Sequence, residues 1–293
     1  MRWPLALLCW LFLTGLSPAA EFKVQLFLSW NLRPYWDFAE GFKKNHHFQA
    51  KISLLEEGDI WETARVLVPV GHRALSFLED QSQKPLWAAL ILHPSLIPKR
   101  KRLLGGLYLR LPPEVVLPLI RARLAPLFGE RTLVLGIPYS TEANLSFLKE
   151  VQKISLLWGL KVVPLPLAKG LSTYEEALKP VDVIYFLPDP FLESEEVISR
   201  LIKMAVMAGK VVVGYNRFFL EKGGLLAFVI DYYRAGIKAS RLLYRCLNQG
   251  NCGWHYAPFK LLWNEKALRY YQVKEKERPA KKPSSSSPIR GRK

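Results

Sequence analysis

The sequence predicts an α/β protein with two Rossmann-like lobes, each built around a parallel sheet. Three observations support this fold class. Short apolar runs that favour strands alternate with amphipathic helical segments along most of the chain. Many of these runs are apolar throughout, which is typical of parallel strands covered by helices on both faces. The alternation pauses at Pro112-Pro113 and then begins again, as expected of a chain that passes from one lobe to another.

The predicted elements of the first lobe are short. Its strands are Lys23–Ser29, Ile52–Leu55, Arg65–Val70 and Leu86–Leu92. Pro34 begins a helix that continues to Lys44. Residues Tyr108–Leu111 then lead through the two prolines into a helix over Glu114–Leu127, which we interpret as the crossover between the lobes.

The second lobe repeats the alternation with longer helices. Its predicted strands are Thr132–Ile137, Leu160–Leu165, Val181–Leu187, Val211–Val213, Leu225–Ile230 and His255–Leu262. Its predicted helices are Thr141–Trp158, Thr173–Leu178 and Glu193–Ala208. A further helix begins after Asp231 and ends near Gly250. We therefore assign residues 21–112 plus 231–252 to the first lobe and 113–230 plus 255–270 to the second.

The 293-residue chain is basic but otherwise of globular composition. Half of its residues are hydrophobic, which excludes a disordered chain. The formal charge is +17, and residues 274–293 form a basic segment without an apolar pattern, which we expect to be disordered. A solvated tail and weak contact with an anionic membrane surface are both open interpretations. No nucleic-acid partner is expected, because the leader described next would carry the chain away from nucleic acid.

The N-terminus has the features of a secretory signal peptide. Arg2 precedes the apolar run Trp3–Leu16, and small residues follow. The run is too short to cross a bilayer comfortably, which needs ~20 apolar residues. We expect export, with residues 1–20 removed by cleavage near Ala19 or Ala20; an uncleaved anchor is the alternative.

Two cysteines follow the leader, Cys246 and Cys252. In an oxidising compartment such a close pair can form a disulfide, and the turn formers between them allow the chain to double back. Free or buried thiols are the alternative. No cluster of Cys and His has the spacing of metal ligands, so we expect neither a metal nor a cofactor.

Several phrases of the sequence resemble one family. They are PYWDFAEGFKK at Pro34–Lys44, VGHRAL at Val70–Leu75, VDVIYFLPD at Val181–Asp189 and GGLLAFVIDYYRAGIKAS at Gly223–Ser240. In this order they resemble periplasmic substrate-binding proteins of ABC transporters with the type I two-lobed fold. The closest branch is the one associated with tryptophan, tyrosine and other ligands.

The sequence departs from this family in its first lobe. Only Gly58–Ala64 connects two strands that are usually joined by a helix, so we expect a trimmed first lobe. His72 and His93 stand where the family has small or acidic residues. The identity of the ligand therefore does not follow from the resemblance.

The resemblance implies an exported, monomeric protein of the periplasm that binds a small ligand. An aromatic or carboxylate-bearing ligand is one expectation. Hinge closure of the lobes would enclose the ligand and present it to an ABC permease. The alternative is a periplasmic sensor or envelope scaffold that keeps the fold without transport. We expect no enzymatic activity, because no nucleophile elbow, phosphate-binding loop or metal-ligand run is present.

Candidate ligand-binding residues lie beyond the carboxyl ends of the predicted strands, where open parallel sheets bind ligands. They are Ser29, Trp30, Tyr35, Gly71, His72, His93, Tyr139, Ser140, Asp189, Tyr215 and Asp231. Asp189 and Asp231 could instead cap helices. Trp30 and Tyr35 could stack on a ring-shaped ligand or pack locally. His72 and His93, with Arg33 and Arg73, could favour an anion or be separate solvated charges.

Overall fold

The protein consists of two α/β lobes, as the sequence predicts, and the described residues of each lobe form a six-stranded sheet. The computed structural model describes residues 22–92, 102–140, 142–167, 171–189 and 194–277. The predicted leader, His93 and residues 278–293 of the basic segment lie outside the described residues. In the described part of the chain, no helix is both long and apolar enough to cross a membrane.

The strands are numbered in chain order. They are β1 (Phe22–Leu28), β2 (Phe48–Leu54), β3 (Val66–Val70), β4 (Leu86–Ile91), β5 (Leu103–Tyr108), β6 (Leu133–Tyr139), β7 (Leu160–Pro166), β8 (Val183–Tyr185), β9 (Val211–Gly214), β10 (Leu226–Ile230), β11 (Trp254–Tyr256) and β12 (Phe259–Trp263).

The helices are numbered in the same way. They are α1 (Arg33–Lys43), α2 (His72–Gln81), α3 (Pro113–Phe128), α4 (Glu142–Ser155), α5 (Leu171–Leu178), α6 (Glu195–Met207), α7 (Arg217–Glu221), α8 (Tyr232–Gln249) and α9 (Glu265–Glu277). A short 3-10 helix, Leu156–Trp158, follows α4.

Each lobe contains one sheet. The first sheet has the order β11-β5-β4-β3-β1-β2, and its paired strands are parallel. The second has the order β12-β10-β9-β8-β6-β7, in which β12 is antiparallel to β10. Buried apolar residues lie on both faces of each sheet, so the continuous apolar strands are explained by double-sided burial.

The chain passes between the lobes three times. It leaves the first sheet after β5 and enters α3, which packs in the core of the second lobe. It returns after β10 to α8, which packs on α1, and it crosses again between β11 and β12. The second and third crossings are joined by a hydrogen bond of 3.0 Å from Asp231 N–H to the Pro258 carbonyl.

Several details differ from the sequence prediction, and three of them concern how the lobes are built. The glycine-containing strand β5 was not foreseen, because two adjacent glycines weaken a strand pattern. The single predicted strand His255–Leu262 is two strands in different sheets, so His255 and Tyr256 belong to the first lobe. Finally, α9 continues to Glu277, so residues 274–277 of the predicted disordered segment are helical.

The trimmed connection between β2 and β3 is held by a buried polar side chain. Gln25, on β1, donates a hydrogen bond of 3.0 Å to the Asp59 carbonyl and accepts one of 2.6 Å from Trp61 N–H. Its amide also donates to Ser53 Oγ at 2.9 Å. These bonds satisfy loop backbone groups that an α-helix would have satisfied internally.

Helices α1 and α8 approach each other through glycine. A methyl group on Gly236 would lie 1.9 Å from the Phe38 carbonyl oxygen, and one on Gly41 would lie 2.0 Å from the Tyr233 carbonyl oxygen. Both obstructing atoms are backbone, which cannot rotate away as a side chain can. The contact therefore fixes how closely α8 returns to the first lobe.

We predict that Gly236→Ala or Gly41→Ala lowers the free energy of unfolding by about 1–3 kcal/mol, the usual cost of overpacking. This sign is opposite to helix propensity, which favours alanine over glycine by about 1 kcal/mol. Chemical denaturation measures the change. Gly253→Ala is the control, because a methyl group there meets nothing within 4 Å. Equal stabilities of the Gly236→Ala variant and the parent would contradict the close contact.

Cys246 and Cys252 form a disulfide, one of the two outcomes that the sequence left open. It connects the C-terminal turn of α8 to the segment just before β11. In the chain-entropy model, so small a loop stabilises the fold by about 2 kcal/mol.

Reduction of this disulfide should therefore lower the free energy of unfolding by about 2 kcal/mol. Denaturation with and without reductant measures the loss, and mass spectrometry of unreduced peptides should show the cross-link. Quantitative labelling of both thiols in denatured, unreduced protein from an oxidising compartment would show the prediction to be wrong.

Candidate functional site

A cavity of about 190 Å³ lies where the two lobes meet. It borders the carboxyl ends of β4, β8 and β9 and the first two crossings between the lobes. This is the edge at which open parallel sheets bind ligands. The lining is mostly apolar or aromatic and includes Tyr185, Tyr215, Phe228 and Tyr232. Its volume is below the ~300–1,000 Å³ of pockets for drug-sized molecules, so a ligand would be small.

Arg110 is the cationic residue in the lining of the described cavity. It follows β5 in the first crossing and is only 5% exposed. Its Nη2 donates to Asn144 Oδ1, and the guanidinium lies 4.9 Å from the centre of the Phe147 ring. Its Nε and Nη1 have no hydrogen-bond partner among the residues that the structure describes. Burial lowers the pKa of Arg110 to about 10, although Tyr185 and Asp189 oppose this shift by favouring the charged form.

The Asp189 carboxylate is fixed by hydrogen bonds from other residues of the second lobe. It is 6% exposed, and its carboxylate accepts hydrogen bonds from Ser140 N–H at 2.9 Å, from Ser140 Oγ and from Asn144 Nδ2. Asn144 also accepts a hydrogen bond from Arg110. A series of side-chain hydrogen bonds therefore connects the first crossing, α4 and the loop after β8. The network positions the Arg110 guanidinium beside the cavity.

Three tyrosines at the cleft keep their hydroxyl protons at neutral pH and can donate hydrogen bonds. Burial, followed by the nearby Asp189 and Tyr232, raises the pKa of Tyr215 to about 12. Burial also raises the pKa of Tyr232, with a smaller effect from Tyr35, and burial raises the pKa of Tyr185. Their hydroxyl groups therefore stay protonated, so the cleft presents donors to a ligand.

Of the predicted site residues, Tyr215 lines the cavity, and Tyr139, Ser140 and Asp189 lie at the neighbouring strand ends. Tyr35 lies against Gly71: a methyl group on Gly71, where φ is +92°, would be 3.0 Å from the Tyr35 ring. Burial raises the pKa of Tyr35.

Ser29 and Asp231 have capping contacts. Ser29 is buried, and its Oγ accepts a hydrogen bond of 2.9 Å from Ala74 N–H in the first turn of α2. Asp231 is the N-cap of α8: it accepts from Arg234 N–H at 3.1 Å and lies 2.8 Å from Lys260 Nζ. These contacts use polar groups that could otherwise face a ligand.

Trp30, His72 and Arg73 lie on the exposed edge of the first lobe. Arg73 stacks at 4.6 Å over the Trp30 ring and forms an ion pair of 3.0 Å with Glu56. Trp30 is 51% exposed, and His72 is exposed at the start of α2. Arg33 pairs weakly with Asp37, at 3.9 Å. None of these residues contributes to the lining of the described cavity.

Sequence analysis missed the central residue of the site. Arg110 lies in the segment that was predicted to cross between the lobes, but no role was assigned to it. The available signal was a single cation between apolar residues, in Leu109-Arg110-Leu111, directly before two prolines. Such a cation is desolvated when the crossing is buried. Among the described residues, no group of Cys, His, Asp and Glu could hold a metal ion.

No protein-family model and no curated protein matches the sequence. Solved structures do match. A ligand-free, open substrate-binding protein with adhesive properties from Clostridium difficile has a TM-score of 0.65 and 15% identity, covering 90% of this chain and 97% of that one.

Two further structures are similar over most of their length. An ABC domain in complex with L-Trp from Streptococcus pneumoniae has a TM-score of 0.58 and 15% identity, covering 87% of this chain and 98% of that one. A periplasmic ribose ABC transporter protein from Conexibacter woesei has a TM-score of 0.57 and 14% identity, covering 87% and 96%. At these identities the likeness establishes the fold, and the predicted type I two-lobed architecture is confirmed.

The environment of Arg110 predicts an unusual effect on stability. Its pKa is lower in the folded chain than in the unfolded one, so the charged form costs folding free energy at neutral pH. We expect Arg110→Met to raise the free energy of unfolding of the ligand-free protein by about 1 kcal/mol. Chemical denaturation at pH 7 measures this change.

Arg131→Met is the matched control. Arg131 forms two hydrogen bonds of 2.9 Å with the carboxylate of Asp182, which is largely buried. Its removal should lower the free energy of unfolding by about 1–3 kcal/mol, less than for a fully buried pair because Arg131 is partly exposed. If Arg110→Met destabilises as much as Arg131→Met, the interpretation that the Arg110 charge costs folding free energy is wrong.

Proposed function

We propose that this protein is the exported solute-binding component of an ABC importer and that it encloses a small solute between its lobes. The observation that carries this proposal is the cavity between the lobes, with the buried, incompletely bonded Arg110 in its lining. A buried polar group without partners costs free energy that a bound solute would offset.

The three short crossings support closure about a hinge. Both lobes have their own buried cores, so each can move as a rigid unit while backbone torsions change only at the crossings. Closure would bring the first-lobe residues Trp30, Tyr35 and His72 towards the cavity from the opposite side. The solute would then be shielded from water on both sides.

Export to the periplasm and delivery to a permease belong to the same proposal. The leader predicted over residues 1–20 supports export, and the fold is one that substrate-binding proteins of ABC transporters use. The role is binding without catalysis. The alternative, a periplasmic sensor or envelope scaffold that keeps the fold without transport, is not favoured, and a scaffold would have no use for a cavity with an unsatisfied cation.

We predict that a solute at 100 times its Kd stabilises the protein by about 2.7 kcal/mol. For a mature chain of this size the melting temperature should rise by roughly 5–10 °C, at ~2–4 °C per kcal/mol. Thermal-shift screening of a broad metabolite library measures the rise. Small-angle scattering of the protein with a screening hit should show a smaller radius of gyration, because the cleft closes.

A pair of tyrosine variants tests whether the effect arises in the cavity. Tyr215→Ala should reduce the shift caused by a screening hit, because Tyr215 lines the cavity. Tyr233→Ala should preserve it, because that side chain is 38% exposed and does not line the cavity. A library without any stabilising solute would contradict the proposed function.

A further inference from the structure

The free hydrogen-bond donors of Arg110 indicate the charge of the solute. Arg110 is only 5% exposed, yet among the described residues only its Nη2 has a hydrogen-bond partner. A carboxylate is the common small group that accepts several N–H donors and also neutralises a guanidinium. The cleft therefore contains a charged hydrogen-bond donor that a carboxylate of the solute could pair with.

The cavity has no acidic residue with which to bind an ammonium group. None of the described lining residues is Asp or Glu. Asp189, the acid at the neighbouring strand end, is occupied by Ser140 and Asn144. An amino acid would thus place its ammonium group near the Arg110 guanidinium, in a lining whose described residues offer it no carboxylate, which is costly.

The lining also disfavours a sugar. Apart from Arg110 and Asn216, it consists of Leu, Ile, Pro, Phe and Tyr side chains. A polyhydroxylated solute would leave most of its hydroxyl groups without partners, and unpaired buried hydroxyl groups are strongly discriminated against. An apolar body fits this wall, and Asn216, whose Oδ1 is buried without a partner, is the other polar group that could contact the solute.

We propose that the cleft binds a small apolar organic carboxylate that lacks an ammonium group, with the carboxylate on Arg110 and the apolar body against the tyrosine rings. This inference rests on the proposed solute-binding function and narrows it. The proposed solute class differs from L-Trp and ribose, the solutes named for two of the similar structures.

A matched panel tests the inference by isothermal titration calorimetry. Each set shares one apolar group and differs only in its polar end: an acid, its amide, the corresponding amine and the corresponding amino acid. The three acids are 3-phenylpropionate, indole-3-propionate and 4-methylpentanoate, and the three amino acids are phenylalanine, tryptophan and leucine. In at least one set, we expect the acid to bind at least tenfold more tightly than its amide and its amino acid, and the amine not to bind.

Two arginine variants localise the charge. Arg110→Met should weaken binding of the preferred acid at least tenfold while changing the affinity for its amide less than twofold. Arg123→Met, which removes an exposed cation of α3 and the same net charge, should leave both affinities unchanged. Denaturation of each variant confirms that it is folded.

The outcomes separate this inference from the proposed function. If an amino acid or amine binds at least as tightly as the acid in every set, or if Arg110→Met binds the acid as the parent does, the inference is wrong although solute binding stands. If the panel fails but a sugar or another neutral metabolite stabilises the protein, the inference is equally overturned. If no metabolite of any class binds, the proposed function fails with it.

Discussion

The close packing of α8 on α1 is the constraint on which the two-lobed arrangement depends. Gly41 and Gly236 bring the two backbones so near that neither position has room for a methyl group. Because α8 follows the second lobe in the chain, this contact returns the C-terminal segment to the first lobe and makes the third crossing necessary. The Cys246–Cys252 disulfide then restrains the path from α8 to β11. Three crossings at one edge leave a cleft between the strand ends.

The same crossings explain why the site contains a costly charge. Arg110 lies buried in the first crossing, and within the described part of the chain only one of its nitrogens donates a hydrogen bond. A paired arginine such as Arg131 supports the fold through a neighbouring carboxylate. Arg110 does not have such a partner among its hydrogen bonds, so its presence is better explained by binding than by stability.

The repeating pattern of the chain made most of the fold predictable, because continuous apolar strands and amphipathic helices are local features of sequence. The exceptions depended on distant contacts: β5 gains its place from pairing with β4 and β11, and the break between β11 and β12 follows from a change of sheet. The site was less predictable. Strand-end positions such as Tyr215 follow from topology, whereas the satisfaction of Asp189 by Asn144 and the isolation of Arg110 depend on three-dimensional proximity.

The contacts that depend on three-dimensional proximity, rather than the topology, bear on which solute the cleft can bind. A two-lobed fold hosts many ligands, so the solute has to be inferred from the groups that the fold leaves unsatisfied. From the sequence, Asp189 was a candidate ligand-binding residue; in the structure, its carboxylate accepts hydrogen bonds from Ser140 and Asn144. Asn144 thereby has two effects. Its Nδ2 donates a hydrogen bond to the Asp189 carboxylate, and its Oδ1 accepts one from Arg110 and holds that side chain at the cavity. The charged side chain in the described lining is the Arg110 guanidinium, and this is why we propose an anionic solute.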